Sequence, residues 1–257
     1  MKVTYMSGAG NDFMVIDARG LTLDFAALAQ RLCARNGADG FMAVDVSEKA
    51  DFRLHFYNSD GSRGEMCGNG ARCICKYAYD LGIVGQTMVV ETDAGLVPGW
   101  RLEDERYRVQ LNDPSVLELD RRPDAAYVEL GDPGIPHSVT QVPGLSFARK
   151  DALRPMAKQL RFAPEFPKGV NVNFYDRLPD GTVRVLTYER GVEDYTLACG
   201  TGCGSVAAVL WTKGQLPGGV MHAQVPGGEL TVTVAGNGTV ETLLLEGPAQ
   251  TLEIFEV

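Results

Sequence analysis

Apolar residues recur at the two-residue period of β-strands in six short stretches: Phe13 to Ile16, Phe52 to Tyr57, Thr87 to Glu91, Val183 to Tyr188, Leu230 to Val234 and Leu252 to Phe255. Successive strand side chains point to opposite faces, and these runs are bounded by Gly, Pro, Asn and Asp, so each predicts a short strand. A helical period takes over at Phe25 to Arg35, at Ala152 to Leu160, and after each of two cysteine-glycine motifs. After the first motif, Ile74, Tyr77, Ala78 and Leu81 fall at i, i+3, i+4 and i+7. After the second, Ser205 to Trp211 is apolar nearly all round, the pattern of a helix enclosed in a core. Many strands and few helices predict an α+β chain.

The chain repeats itself. Met66-Cys67-Gly68-Asn69-Gly70 returns as Ala198-Cys199-Gly200-Thr201-Gly202, with the cysteines 132 residues apart (199 − 67 = 132). Upstream, Arg53 to Asn58 aligns with Arg184 to Glu189 at nearly the same offset; downstream, Gly82 and Gly214 each lie 15 residues past their cysteine. A glycine just beyond a periodic segment is a helix stop. Each half therefore reads strand, polar loop, Cys-Gly-x-Gly, helix. The expectation is two pseudo-symmetric domains, each a mostly antiparallel, barrel-like sheet around a central helix. The boundary is expected between residues 1–113 and 114–257, with Asn112 to Ser115 and the charged run Glu118 to Asp124 as linker. The last few residues are candidates to return to the first domain.

Length and composition narrow the class. A chain of 257 residues with 45% hydrophobic and 22% charged residues has material for two cores. A net charge of −9 disfavours a nucleic-acid partner, whose phosphates call for a basic footprint. The first residues lack an apolar stretch of signal-peptide length, and no run approaches the roughly 18 apolar residues of a membrane helix. The six cysteines gather in and around the two motifs instead of spreading as a disulfide framework would, so a reducing, cytoplasmic setting is expected.

The chemistry resides in the paired cysteines. A thiolate is the reactive form, and a helix N-terminus favours it through the macrodipole and unpaired amides. Gly68, Gly70, Gly200 and Gly202, lacking side chains, let backbone N–H groups approach an anion closely. Two such helix starts facing one another across a cleft would cradle a carboxylate between two thiols. One thiolate then removes the proton beside that carboxylate, and the opposite thiol returns a proton to the other face. A buried cysteine is more often a small hydrophobe, and that reading suits Cys33, Cys73, Cys75 and Cys203. Cys73-x-Cys75 and Cys199-x3-Cys203 also offer sulfur for a structural zinc, though there is no Cys-x2-Cys and there are only three histidines. As a phosphate loop the motif is weak, lacking the lysine and the full glycine spacing.

At these residues the chain resembles the diaminopimelate epimerase family. The resemblance rests on the segment from Met66 to Cys73 and on Ala198 to Gly202, with further matches at Gly8 to Phe13, Tyr57 to Gly61, Val170-Asn171, Tyr188 to Gly191 and Pro226 to Gly228, so that it runs the length of the chain. It implies two pseudo-symmetric domains closing over substrate, no cofactor and no metal. It implies conversion of LL-2,6-diaminopimelate to the meso form, on the route to lysine and peptidoglycan precursors. Cys67 and Cys199 would be the acid/base pair, and backbone amides at Gly68, Asn69, Gly200 and Thr201 would hold the reacting carboxylate. Arg190 would clamp the distal carboxylate, matching the planar grip of a guanidinium. Asn58, Asn171 and Glu189 would bind the distal groups, with Asn11 near the reacting amine. His137 and Glu189 would act as supporting bases. Family members are often dimers, so a homodimer is the expected assembly.

Without the family, the polar residues have blander readings. Asn11 and Asn58 suit turns, Glu189-Arg190 suits a solvated strand end, and His137 suits a satisfied loop position. Two positions depart from the family pattern. Gly134-Ile135-Pro136-His137 has Ile135 where an asparagine is usual, and Gly40 stands where many members have glutamine. These keep a second enzymatic reading open, a related racemase for another amino acid such as histidine or lysine. A non-enzymatic reading, a cysteine-rich or zinc-stabilised scaffold, also stays open.

Overall fold

The protein was analysed as a computed structural model that describes residues 1–64, 67–103 and 105–257; Met66 of the first motif lies outside the described residues. The backbone divides into two compact units, residues 1–110 with 246–257 and residues 111–245.

The first unit is built from strands β1 (Lys2–Gly8), β2 (Asn11–Asp17), β3 (Gly40–Asp45), β4 (Phe52–Asn58), β5 (Thr87–Thr92), β6 (Gly95–Arg101) and β7 (Arg106–Leu111), with helices α1 (Phe25–Asn36) and α2 (Gly68–Asp80). β1 and β2 form a hairpin, β2 runs parallel to β3, β3 antiparallel to β4, β4 parallel to β5, and β5 antiparallel to β6. The two parallel steps occur where a helix makes the crossover, as parallel neighbours require. α1 is capped by Asp24, whose carboxylate accepts the Ala27 N–H, and it buries Leu28, Ala29, Leu32 and Cys33. These meet Val3, Met14, Ile16, Phe41 and Ala43 on the sheet. Each large aliphatic side chain buried there contributes about 1.5–3 kcal/mol.

The second unit follows the same plan with β8 (Pro114–Arg122), β9 (Ala125–Leu130), β10 (Ile135–Gln141), α3 (Lys150–Arg161), β11 (Asn171–Arg177), β12 (Val183–Glu189), β13 (Asp194–Tyr195), α4 (Gly200–Thr212), β14 (Val220–Val225), β15 (Gly228–Ala235) and β16 (Thr242–Pro248); the chain closes with β17 (Gln250–Glu256). Here β9–β10 is antiparallel, β10–β11 parallel, β11–β12 antiparallel, β12–β14 parallel and β14–β15 antiparallel. Strand for strand this is the order of the first unit. α3 packs Ala157 and Leu160 on Tyr127, Phe166, Phe174 and Tyr188, as α1 packs on its own sheet.

The duplication extends to single residues. Arg53 pairs in register with Glu91 and bonds to it at 3.0 Å; its counterpart Arg184 pairs with Gln224 and bonds to it at 3.0 Å. Both motif helices end in the same way. Gly82 and Gly214 adopt φ of 66° and 68°, and the next residue's N–H reaches back to Ala78 O and Leu210 O. Only glycine takes that left-handed turn without steric cost.

Two sequence expectations change. The charged run expected as linker is strand β8, paired antiparallel with β9, so only Asn112 and Asp113 separate β7 from β8. Its charges hid the strand because they are paired along a solvated face, Arg121 with Glu118 and Arg122 with Asp124. The first motif helix, patterned as amphipathic, is buried all round from Gly68 to Ala78, Arg72 and Lys76 included. Burying cations is costly without partners. Lys76 Nζ has Glu105 at 2.9 Å and Asp80 at 3.0 Å, and Arg72 Nη2 donates to Asn69 Oδ1 at 2.9 Å.

Candidate active site

Each cysteine of the repeat caps its helix. Cys67 and Cys199 have extended backbones (φ −128° and −125°) and immediately precede α2 and α4. Each sulfur accepts the backbone N–H three residues on, Gly70 N at 3.5 Å and Gly202 N at 3.4 Å. A side chain that accepts at this position satisfies one donor of the first turn. The helix start also directs its remaining first-turn N–H groups outward, the arrangement that binds anions.

In the first unit, Asn69 Nδ2 donates to Asn11 Oδ1, and Asn11 Nδ2 donates to Asp39 Oδ2 at 3.2 Å. Arg72, with no exposed surface, holds the other side of Asn69 and also donates to Gly68 O at 3.2 Å. Asn11, Gly68, Asn69 and Cys67 therefore form one connected cluster. Asn58 is exposed, and its side chain bonds within its own turn to Ser62 Oγ at 2.9 Å. It sits opposite Gly40 in the β3–β4 ladder. A Cβ at Gly40 would lie 2.8 Å from the Phe56 ring and 2.9 Å from Tyr57 O, so that space is already filled and a glutamine needs the strand pair to shift.

In the second unit, the residues singled out from the sequence meet. His137 and Asn171 are register partners on β10 and β11. Asn171 Oδ1 accepts the Arg190 N–H at 2.8 Å, and its Nδ2 reaches Pro136 O at 3.4 Å. Thr201 Oγ1 is 3.5 Å from Cys199 Sγ. Arg190 projects into solvent with Nη1 on Lys168 O at 3.1 Å. Burial pushes the Cys199 thiol well above the usual range, and the nearby Glu189 carboxylate pushes it the same way, against the Thr201 and Gly202 hydrogen bonds. Cys199 thus rests as a thiol. His137 is fully buried, and burial reinforced by the Arg190 charge lowers its pKa to about 3. A neutral imidazole this hard to protonate is a poor proton acceptor, which bears on the supporting-base role expected for it.

The other cysteines behave as core residues. Burial pushes Cys33 up to about 11 and Cys73 and Cys75 up to about 12. Cys73 Sγ packs at Gly8 and Cys75 Sγ at Gly99, on different sides of α2, so they do not converge on one ion. Among the described residues no three His, Cys, Asp or Glu side chains gather as a metal site, and no helix is long and apolar enough to cross a membrane.

Two contributors escaped the sequence reading. Arg72, within the first motif, was given no role there, and it is fully buried. Asn173, fully buried, sits two residues beyond Asn171 on the same strand face, between His137, Thr187 and Gly202. The signal was present as polar-apolar alternation in Val170-Asn171-Val172-Asn173, since a second asparagine at strand period shares the face of the first.

The chain is similar to known proteins along most of its length. The model of the family described as diaminopimelate epimerase matches residues 3–117 and 131–252. The diaminopimelate epimerase of Aquifex aeolicus is 38% identical, covering 83% of this chain and 82% of that protein. That of Archaeoglobus fulgidus is 36% identical, with 80% of each covered. Among solved structures, a phenazine biosynthesis protein of the PhzF family from Bacillus anthracis superposes with a TM-score of 0.77 at 16% identity, over 100% of this chain and 98% of that one. A hydroxyproline epimerase from Agrobacterium vitis gives 0.75 at 19% identity, over 100% and 90%. At such identities these two structures speak for the fold, whereas the family match and the curated relatives speak for descent: the chain belongs to the diaminopimelate epimerase family.

Proposed function

We propose that this protein converts LL-2,6-diaminopimelate to the meso form by two-base proton transfer between thiols, without a cofactor. The observation that carries the reading is the pair of equivalent helix-capping cysteines, Cys67 and Cys199, in a chain of this family. In one direction a Cys67 thiolate takes the α-proton, and the electron pair of the C–H bond moves toward the substrate carboxylate. Amides at Gly68, Asn69, Gly200 and Thr201 stabilise the charge that develops there, usually the largest catalytic term. The Cys199 thiol then delivers its proton to the opposite face, leaving a Cys199 thiolate and a Cys67 thiol. The high thiol pKa of Cys199 supports its role as proton donor, and Glu189 beside it supports the return of a proton in the reverse reaction. Asn11 serves the reacting amine; Asn58, Asn171 and Glu189 serve the distal end; and Arg190, solvent-facing, grips the distal carboxylate. Members of the family being often dimers, the homodimer is the assembly we propose, acting in the cytoplasm on a small-molecule substrate.

The test is α-proton exchange in D2O followed by NMR, with LL- and meso-diaminopimelate beside histidine, lysine and glutamate under reducing conditions. Deuterium uptake with inversion on diaminopimelate is expected. Uptake on another amino acid alone would replace the substrate while keeping the chemistry, and uptake on none would return the scaffold reading.

Arg190→Ala tests the substrate end separately. Losing a bidentate charge-assisted contact costs about 1.5–3 kcal/mol, so kcat/KM for diaminopimelate is expected to fall by roughly 10–100-fold. Unchanged kcat/KM would remove Arg190 from the site.

A further inference from the structure

The imidazole of His137 is tied to one side chain. Its Nδ1 lies 3.2 Å from Asn173 Nδ2, and the same amide nitrogen faces two backbone carbonyls, Ser138 O at 2.9 Å and Asn171 O at 3.3 Å. A carbonyl oxygen only accepts, so these two contacts fix which end of the amide carries nitrogen. Reversing the amide would set oxygen against oxygen. The other end, Oδ1, then accepts from the Thr187 hydroxyl at 2.9 Å, and it also sits under Gly202 Cα, where a Cβ would approach it to 2.3 Å. The two hydrogens of that nitrogen are shared among three acceptors, His137 Nδ1 included, and an amide nitrogen accepts nothing, so a proton on Nδ1 would point at a group that cannot receive it. The one proton of a neutral ring is left with Nε2, which is buried and has no hydrogen-bond partner among the described residues. A second proton is opposed by burial and by the Arg190 charge.

We propose that Asn173 is a positioning residue that holds His137 as the neutral Nε2–H tautomer, so that His137 offers a hydrogen-bond donor and not a proton-accepting lone pair. An unmatched buried N–H calls for an acceptor, and a substrate carboxylate oxygen is the acceptor the reaction supplies. The tautomer follows from the second unit alone, whereas the carboxylate as its partner rests on the reaction proposed above. Asn173 also links the histidine to the cysteine, since its Oδ1 lies beneath Gly202, whose N–H is bonded to Cys199 Sγ.

The measurement is a long-range proton–nitrogen correlation spectrum of the full chain, labelled with nitrogen-15 in histidine, at neutral pH. The three histidines give few signals, and His137→Gln identifies those of His137 by their disappearance. The expected pattern has Nε2 protonated and Nδ1 as the bare, imine-type nitrogen. An Nδ1–H ring or an imidazolium would overturn the proposal. Asn173→Ala is expected to release the ring into a mixture of tautomers and to lower kcat about tenfold, the worth of one neutral hydrogen bond, with KM moving less than about threefold. A single unchanged tautomer together with unchanged kcat in that variant would also overturn it. Thr187→Val removes the donor to Oδ1 but leaves both carbonyls, so the Nε2–H pattern should persist; its loss would count against the carbonyls as the fixing contacts. An Nε2–H spectrum in a protein inert toward diaminopimelate would sink the substrate reading and leave the tautomer standing.

Discussion

Cys67→Ala and Cys199→Ala are each expected to lower the rate of inversion of diaminopimelate by roughly 10²–10⁴-fold, the usual contribution of a positioned acid or base. Inversion needs one group to take a proton and a second to give one, so losing either interrupts the same path. The two losses are therefore not additive, and the double variant should be scarcely slower than the worse single one. Cys73→Ala is the control. Its side chain is fully buried inside α2, packed at Gly8 and not at the helix cap, so it is not placed to exchange a proton with substrate. That change leaves a small cavity and costs stability, not mechanism. The readouts are α-deuterium incorporation and the ratio of LL to meso product, with circular dichroism to verify folding. Full inversion by either of the first two variants would end the two-thiol mechanism.

Gly202→Ala is expected to destabilise the protein by about 2–4 kcal/mol, combining overpacking with a disturbed buried hydrogen bond. The added Cβ would lie 2.3 Å from Asn173 Oδ1 and 3.0 Å from Thr187 Oγ1. Asn173 cannot swing aside, because its amide is held by the Ser138 and Asn171 carbonyls and by His137. Alanine's better helix propensity recovers about 1 kcal/mol at most. The equivalent glycine of the first motif is the contrast. A Cβ at Gly70 meets Met42 Sδ at 3.2 Å and Cys67 Cβ at 3.5 Å, and a methionine end yields easily. Gly70→Ala should therefore cost about 1 kcal/mol or less. Urea midpoints of the two variants against the parent decide it. Equal midpoints for Gly202→Ala and the parent would mean that Asn173 is not fixed as described.

These two glycines show how far a repeat carries. Both stand at the same place in the same motif, and the sequence treats them alike. Their surroundings differ because one helix start rests on a methionine and the other on a polar cluster drawn from β10, β11 and β12. The partners of Asn173 were invisible for a similar reason. Its neighbours His137, Thr187 and Gly202 are 36, 14 and 29 residues distant in sequence (173 − 137, 187 − 173, 202 − 173), so no local pattern joins them. The place of Arg72 is likewise decided by packing. A cation on a helix reads as solvent-facing, and only the packing around α2 shows that it is enclosed with Asn69 and Gly68 O as partners.

Local pattern carried much of the rest. The period-two runs from Phe52 and from Val183 are strands β4 and β12, the stop glycines end both motif helices, and Cys67 and Cys199 begin them. The charged strand β8 failed because periodicity is read from apolar side chains, and ion pairs on an exposed face erase that contrast. The last residues were candidates to return to the first domain, but their strand partner lay beyond the sequence. β17 lies antiparallel to β1, Lys2 opposite Glu256, a pairing between the two ends of the chain that backbone hydrogen bonds create and no side-chain motif announces.

By itself, then, the sequence determined what local chemistry encodes: strands and helices from periodicity, their ends from glycine, a duplicated plan from the repeat, and a family from its motifs. Tertiary structure alone decided which polar groups became enclosed and what each must bond to once water was gone. Burial sets that demand, because a group removed from water must find its partners among whatever the fold brings near, from any distance along the chain.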